Sequence, residues 1–390
     1  MKKKIIFITK AVLIGGIETA LNNLLKCFDY DKYDVTLLVL KAELDMLKQI
    51  HPKCRVLISD REETVTFQER YRYGRLFHLT ETPKTPSWLH KLMMWTVPMI
   101  RWAENRLYIR YIRKLMREEE FDTAVIYSDV AGETAVRAIK AKKYLMFYHH
   151  GAMRHVYHDK IAYRKCDKII AVSENLAEAL RKFNPKYRNK ITAVHNLTDI
   201  EGIRRKGQES IPDYFDSRKF NIVTVGRVSH EKGMDLAVRA CARLVKDGYD
   251  NMRWWIVGDG PAMQEVKTEI EKLRMEEYII TVGMKANPYP YIQHADLYVQ
   301  PSRIEAFGLT ITEAMILGKA VLATNTLGAC EIITDGENGI LCRSDEEQLA
   351  RNIEMLIQKP QKVDNIERTV RMIDFSKQNQ DYIYQFEKML

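Results

Sequence analysis

The sequence predicts an α/β protein made of two doubly wound, Rossmann-like domains in tandem, facing each other across a cleft. Short, wholly apolar runs recur along the chain and are separated by segments of helical period, the pattern of buried parallel strands alternating with helices. This alternation breaks once, in the polar stretch EGIRRKGQESIPDYFDSRK (201–219), and then restarts. Glycine-bearing loops follow several of the strands. In such folds small ligands bind at the carboxyl ends of the strands.

The first half opens with IIFIT (5–9) as a strand, KAVLIGGIE (10–18) as a loop, TALNNLLKCF (19–28) as a helix and DVTLLVL (34–40) as a second strand. TAVIYS (123–128), YLMFYH (144–149), KIIAVS (168–173) and KITAVH (190–195) continue the series. After the break come FNIVTVG (220–226), RWWIVG (253–258), YIITVG (278–283), DLYVQ (296–300) and AVLAT (320–324). The expected division is an N-terminal domain over 1–205, a linker over 206–219 and a C-terminal domain over 220–375. A helix over 376–390 is expected to pack back on the N-terminal domain.

The 390 residues carry a net charge of +9, which suits an acidic partner such as a phosphorylated substrate or an anionic membrane face. Six cysteines are scattered without C-x-x-C or His/Cys clustering, so reduced thiols in a cytosolic setting are expected, with no metal site. The apolar run before Lys10 is too short for the core of a signal peptide, and no run approaches the length of a membrane span.

The segment 71–117 departs from the alternation. It is rich in Arg and Lys, and Trp88, Trp95 and Trp102 fall at heptad spacing in one stripe, with Pro98 expected to kink the helix. A basic, tryptophan-bearing amphipathic helix suits an anionic bilayer surface. The alternative is a stripe packed on the first domain, with the arginines as a solvated face.

Several loops could hold phosphate. VGRVSHEKG (225–233) follows a strand and precedes a helix, so Arg227 and Lys232 sit near a helix N-terminus where anions are favoured. VGDGP (257–261), with Gly258, repeats the strand-to-glycine geometry of Gly226. GGIE (15–18) matches neither a dinucleotide fingerprint nor a Walker loop, though Gly15 and Gly16 would let a backbone approach a ligand. Each loop has a plainer interpretation as an ordinary βα turn, and Arg227 alone would pass for a surface arginine. PSRIEAFGLTITEAM (301–315) raises a separate question. Glu305 and Glu313 could be an acid/base pair of a hydrolase, or Glu313 could complete a capping box with Thr310.

Taken in order, GGIE, HHG (149–151), SEN (173–175), VHNLTD (194–199), GRVSHEKG, VGDGP and PSRIEAFGLTITEAM resemble family 4 of the retaining glycosyltransferases, which have the GT-B fold. The resemblance runs from residue 5 to about 343, and its most specific part is E-x-F-G-x-x-x-x-E. It implies that Gly16 and its loop border the donor phosphates and the acceptor site. His150 would approach the donor sugar, and Arg227 and Lys232 would neutralise the diphosphate. Glu305 would bind sugar hydroxyls, and Ala306, Phe307, Gly308 and Leu309 would line the donor site with backbone N–H groups. Glu313 would bind the ribose. Ala306 stands where the family has glycine.

The implied activity is retaining transfer of a hexose or N-acetylhexosamine from a nucleoside-diphosphate sugar, UDP being favoured, in bacterial surface-polysaccharide or capsule synthesis. The expected acceptor is a lipid-linked or polysaccharide hydroxyl, with the protein peripheral at the cytoplasmic membrane face. No cofactor or metal is expected, because no D-x-D-type site stands out and the two cations would replace a divalent ion. Trp88, Trp95 and Trp102 would lie on the acceptor or membrane side. The competing readings are a nucleotide-sugar epimerase or hydrolase, a non-catalytic partner protein on the same fold and, least supported, a nucleic-acid binder.

Overall fold

The computed structural model describes residues 2–12, 15–41, 49–59, 106–128, 131–153, 160–210 and 215–390. Trp88, Trp95 and Trp102 lie outside the described residues. Two compact units emerge: residues 1–148 with 155–170 and Leu390, and residues 149–154 with 171–389.

The first sheet has seven strands: β1 (Lys3–Ala11), β2 (Tyr33–Lys41), β3 (Arg55–Ile58), β4 (Glu120–Ile126), β5 (Lys140–Tyr148), β6 (Lys168–Ala171) and β7 (Ile191–Ala193), in the order β3-β2-β1-β4-β5-β6-β7. Ile5, Ile6, Phe7 and Ile8 are each fully buried, which is why this strand reads as a continuous apolar run instead of an alternating one. β3 escapes that signature because its residues are only partly buried and its sequence, RVLI, is short. The helix after β1 spans Gly16–Cys27, starting earlier than the apolar pattern suggests. Its first turn holds the half-buried Glu18, which compensates the dipole but adds nothing to the apolar stripe.

Part of the basic segment is described. Residues 106–115 are helical and bury Tyr108, Ile109 and Ile112, while Arg106, Arg110, Arg113 and Lys114 are exposed. Arg113 donates twice to the carbonyl of Arg137, at 3.1 and 2.7 Å, and so closes the C-terminus of the helix Gly132–Ala138. This end of the segment packs on the fold with its charges outward.

The second sheet has six parallel strands: β8 (Phe220–Val225), β9 (Met252–Val257), β10 (Ile279–Gly283), β11 (Leu297–Gln300), β12 (Val321–Thr324) and β13 (Ile340–Cys342), ordered β10-β9-β8-β11-β12-β13. Consecutive strands run outward from β8 to one side, and the order then restarts at β11 on the other. The switch point therefore lies between β8 and β11. Polar atoms buried in this sheet are satisfied internally: the Trp254 and Trp255 indoles donate to Thr224 Oγ1 at 3.0 Å and Asn221 Oδ1 at 2.9 Å.

The stretch taken from 201 onward as part of an inter-domain break begins instead as a helix, Ile200–Gly207. Asp199 caps it by accepting from the Gly202 N–H at 3.0 Å, and Ile200, Ile203 and Gly207 form its buried face. With only two large apolar residues among charged neighbours, the local composition resembles a linker although the spacing is helical. At the other end of this unit the helix Phe375–Glu387 is capped by Asp374 and holds Thr198 through Asn379.

Candidate active site at the switch point of the second sheet

The loops that leave β8 and β11 meet at the carboxyl end of the sheet. After β8 the chain runs through Gly226 and Arg227, makes a single 3₁₀ turn at His230–Lys232 and enters the helix Met234–Lys246 through Gly233. Gly233 has φ 68°, and a Cβ there would lie 2.0 Å from the Pro301 carbonyl oxygen. Only glycine allows both the turn and this approach of the second loop. Gly258, after β9, is constrained in the same way: its Cβ would fall 1.9 Å from the Gly226 carbonyl oxygen. These glycines let three loop backbones pack against one another.

The loop after β11 is pinned from below by a buried polar network. Gln300 accepts from Tyr298 Oη at 2.6 Å and Thr310 Oγ1 at 3.0 Å, and donates to Ser302 Oγ at 2.7 Å. Thr324 Oγ1 donates to the Ser302 carbonyl. From the side, the N–H groups of Arg303 and Ile304 donate to the Glu231 carbonyl, and the Arg303 guanidinium grips both oxygens of Asp235 at 2.7 and 2.6 Å. Burial works to raise the Asp235 carboxyl, but Arg303 and Arg239 outweigh it and hold the group at about 2. Asp235 is therefore an anion already neutralised at the head of its helix.

Lys232 and Glu305 form an ion pair on this frame, their side chains 26% and 13% exposed. Arg227 is exposed and makes no ion pair among the described residues. Gly308 is the N-cap of the helix Leu309–Ile316, which has neither a capping side chain nor an acid in its first turn. Its leading N–H groups are thus open to an anion or a polar ligand. The capping-box alternative for Glu313 fails, because Thr310 lies inside the helix and bonds Gln300.

Glu313 is 8% exposed and accepts from Tyr289 Oη at 3.2 Å. Burial raises its carboxyl to about 7, against the opposing pull of Tyr289 and Lys206. A buried acid with a single modest donor suits a partner that brings further hydroxyls.

The HHG stretch joins the same site: a Cβ on Gly151 would lie 2.5 Å from Ile304 Cγ2 and 3.3 Å from the Ala306 nitrogen. Gly151, the residue after His150, therefore packs against the 304–306 segment. Gly15 and Gly16 belong to the first unit, where Gly15 is the N-cap of its helix and would meet the Glu18 carboxylate at 2.6 Å from a Cβ. The unit that contains Arg227, Lys232, Gly226, Gly258, Glu305, Ala306, Phe307, Gly308, Leu309, Glu313 and His150 thus gathers all the expected donor residues except Gly15 and Gly16.

Arg303, Asp235, Gln300 and Tyr289 were not singled out from sequence. Arg303 lies within the quoted block, and Tyr289 lies in NPYPYI (287–292), but neither has a spacing signal that marks its partner. Among the described residues no three His, Cys, Asp or Glu side chains cluster as a metal site. A basin lined by Lys2, Lys4, Tyr30, Tyr33, Asp34 and Lys53 lies at the amino ends of β1 and β2. Its lysines are engaged by the Tyr30 carbonyl, Glu119 and Asp31, so it offers little for an anion.

Two parallel sheets, each alternating with helices, are the architecture of the GT-B class. The chain belongs to the glycosyltransferases: residues 14–201 match the family model described as Glycosyltransferase Family 4, and residues 209–373 match that described as Glycosyl transferases group 1. One relative, from Campylobacter jejuni, is the N-acetylgalactosamine-N,N'-diacetylbacillosaminyl-diphospho-undecaprenol 4-alpha-N-acetylgalactosaminyltransferase, 32% identical over 48% of this chain and 49% of its own length. A lipopolysaccharide core biosynthesis mannosyltransferase of Rhizobium leguminosarum is 28% identical over 55% of this chain and 61% of its own. The aligned stretches thus span less than two thirds of these curated relatives.

Among solved structures, HepE of Anabaena in complex with UDP and glucose matches with a TM-score of 0.71 at 18% identity, over 99% of both chains. TarM of S. aureus, in a complex with UDP, matches at 0.74 and 13% identity, again over 99% of both. These two likenesses bear on the fold. Among the described residues no helix is long and apolar enough to cross a membrane.

Proposed function

We propose that this protein is a retaining glycosyltransferase that moves a hexose or N-acetylhexosamine from a nucleoside-diphosphate sugar, with UDP the favoured nucleotide, to an acceptor hydroxyl. The observation that carries the proposal is the spacing of functions along one helix and its leading loop. Glu305 sits with Lys232 before the helix Leu309–Ile316, and Glu313 is buried within it. Two carboxylates so placed serve opposite ends of one long donor, sugar at Glu305 and ribose at Glu313, with the cations between them at the diphosphate. An acid/base pair working on a single bond would have to flank that bond.

In the proposed reaction the bond between the anomeric carbon and the diphosphate oxygen breaks, and negative charge grows on that oxygen. Arg227, Lys232 and the uncapped helix N-terminus stabilise it. Lys232 starts from its pair with Glu305. Donor binding redistributes this pair, with the ammonium turning to phosphate and the carboxylate to sugar hydroxyls. Both charges therefore stay compensated throughout, which a buried site requires. The departing phosphate oxygen takes the proton of the acceptor hydroxyl, so attack comes from the face the leaving group vacates and configuration is retained. In this proposal His150, one residue before Gly151, approaches the donor sugar.

The acceptor we favour is a lipid-linked or polysaccharide glycan of a bacterial cell surface, met at the cytoplasmic membrane face. The name of the Campylobacter relative specifies a diphospho-undecaprenol-linked substrate, and that of the Rhizobium relative specifies lipopolysaccharide core synthesis. The net charge of +9 suits an anionic surface. UDP is favoured because HepE and TarM are described in complex with it.

The test is turnover of UDP-sugars with lipid-linked acceptors. Arg227→Ala and Lys232→Ala should each lower kcat by about 10²-fold or more. Glu305→Ala should act mainly on kcat, and Glu313→Ala mainly on donor Kd. Unchanged turnover in both cation variants would remove the assignment, and sugar release without any acceptor would favour a hydrolase.

A further inference from the structure

Two stretches quoted above, SEN (173–175) and the start of VHNLTD (194–199), and a third, GACEI (328–332), have no part in the proposed chemistry. In the second unit they converge on the far side of the loop Glu305–Gly308. Ser173 Oγ donates to the Ala306 carbonyl at 2.8 Å, and the Gly328 N–H donates to the Glu305 carbonyl at 3.0 Å. Gly328 presses so closely that a Cβ there would lie 2.3 Å from the Phe307 carbonyl oxygen. Asn175 Nδ2 donates to the Leu327 carbonyl at 3.2 Å.

At the centre of this cluster is Glu331, whose side chain is 11% exposed. Its two oxygens accept from the Glu174 and Asn175 N–H groups, each at 3.0 Å, at the N-terminus of the helix Glu174–Phe183. The same carboxylate meets His195 Nε2 at 2.7 Å. The His195 ring lies 5.4 Å from the Phe307 ring and 4.6 Å from that of Tyr382, centroid to centroid. Burial alone would raise the Glu331 carboxyl, but His195 and the two N–H groups bring it down to about 2, so it is ionised throughout the neutral range.

We propose that His195 and Glu331 are a positioning pair that sets the Glu305–Phe307 backbone against the donor sugar. The inference rests on the glycosyltransferase reading of that loop. Glu331 fixes the imidazole by accepting from Nε2, and the ring in turn backs Phe307. Ser173 and Gly328 hold the Ala306 and Glu305 carbonyls, so the loop backbone is fixed from this side. The Glu313 grip on the ribose stands on a different element, with its own partner in Tyr289. Loss of the brace should therefore act on the sugar end of the donor and spare the nucleotide end.

The experiment compares the full-length parent with His195→Ala, His195→Gln and Glu331→Gln, using UDP, UDP-glucose and UDP-N-acetylgalactosamine as probes. In His195→Ala, kcat should fall about tenfold or more, as expected when reacting groups are misplaced. UDP Kd should change less than about threefold. Amide hydrogen exchange at 305–308 should quicken while the sheet β8–β13 keeps its protection. His195→Gln, which retains an N–H donor toward Glu331, should recover most of the loss, and this rescue separates positioning from bulk stability.

Unchanged kcat and unchanged 305–308 exchange in His195→Ala would overturn the brace. So would a fall in kcat matched by an equal loss of UDP affinity and by exchange spread over the whole sheet. If His195→Ala does not fold, the near-isosteric Glu331→Gln carries the same readouts. If the parent turns over no UDP-sugar and binds none better than UDP, the transferase reading fails. The exchange measurement then still decides whether His195 and Glu331 hold the loop.

Discussion

Glu313 is the residue whose environment differs most from what its position in the sequence suggests. Eight positions after Glu305, it could be a catalytic partner or a helix cap, but burial raises its carboxyl to about 7 against the opposing hydrogen bond from Tyr289. A folded-state value raised from the ordinary 4.5 to about 7 means that the folded protein keeps this proton when the unfolded chain has lost it. The group's contribution to stability is therefore fullest below about pH 4.5 and is lost as pH rises to about 7. Glu313→Gln should accordingly raise the thermal midpoint of the ligand-free protein at pH 8 and leave it little changed at pH 5. Ribose hydroxyls donating to the carboxylate favour its charged form, so UDP binding should release a proton below pH 7. Affinity should then rise with pH up to about 7 and level off above it, and Glu313→Gln should remove that slope. Titration calorimetry in buffers of different ionisation enthalpy measures the proton directly; no release at pH 6 would contradict the assignment.

At the scale of elements, the site depends on two loops from strands β8 and β11 holding one register. Arg303 and Asp235 bridge them, with Arg239 sharing the carboxylate. The bidentate geometry is the strong form of such a pair, although its partial exposure to solvent weakens it. Arg303→Met should cost about 1–3 kcal/mol of stability at pH 7, read from the urea midpoint. It should also lower kcat/KM for the UDP-sugar, because Lys232 and Glu305 lie on the two loops it joins. Asp235 titrates low, so its contribution is present above the ordinary 3.8 and is lost as pH falls toward about 2. Asp235→Asn should therefore be destabilising at pH 7, with the difference from the parent shrinking as pH falls below 4. A constant difference across that range would show that the ion pair is not the source.

For the molecule as a whole, the six cysteines are all free thiols, and Cys54, Cys166, Cys241 and Cys342 are buried. Burial pushes the Cys241 and Cys342 thiols up to about 12, which leaves them inert in the folded state. A thiol reagent such as DTNB should modify Cys27 and Cys330 in the native protein and all six cysteines in denaturant. Saturating UDP, at about 100 times its Kd, should stabilise the protein by about 2.7 kcal/mol. The gain in exchange protection should concentrate in the sheet β8–β13. Protection gained mainly over β1–β5 instead would place the nucleotide elsewhere.

The sequence by itself determined the two parallel sheets, because fully buried strands such as IIFIT and FNIVTV must be apolar on both faces. The loop pattern after the strands pointed to Arg227 and Lys232, because cations near a helix N-terminus suit phosphate, while Glu305 and Glu313 were marked by the resemblance to the retaining glycosyltransferases. The sequence did not show the helix Ile200–Gly207, where a narrow buried face of Ile200 and Ile203 is diluted by charged neighbours. Nor did it show that Glu305 rests in an ion pair, that Arg303 clasps Asp235, or that Glu331 fixes His195 beneath Phe307. Those partners are 73, 68 and 136 residues apart along the chain. Periodicity and spacing record only local geometry, whereas a carboxylate's charge state and partner depend on what folding brings beside it. Tertiary structure alone decided those.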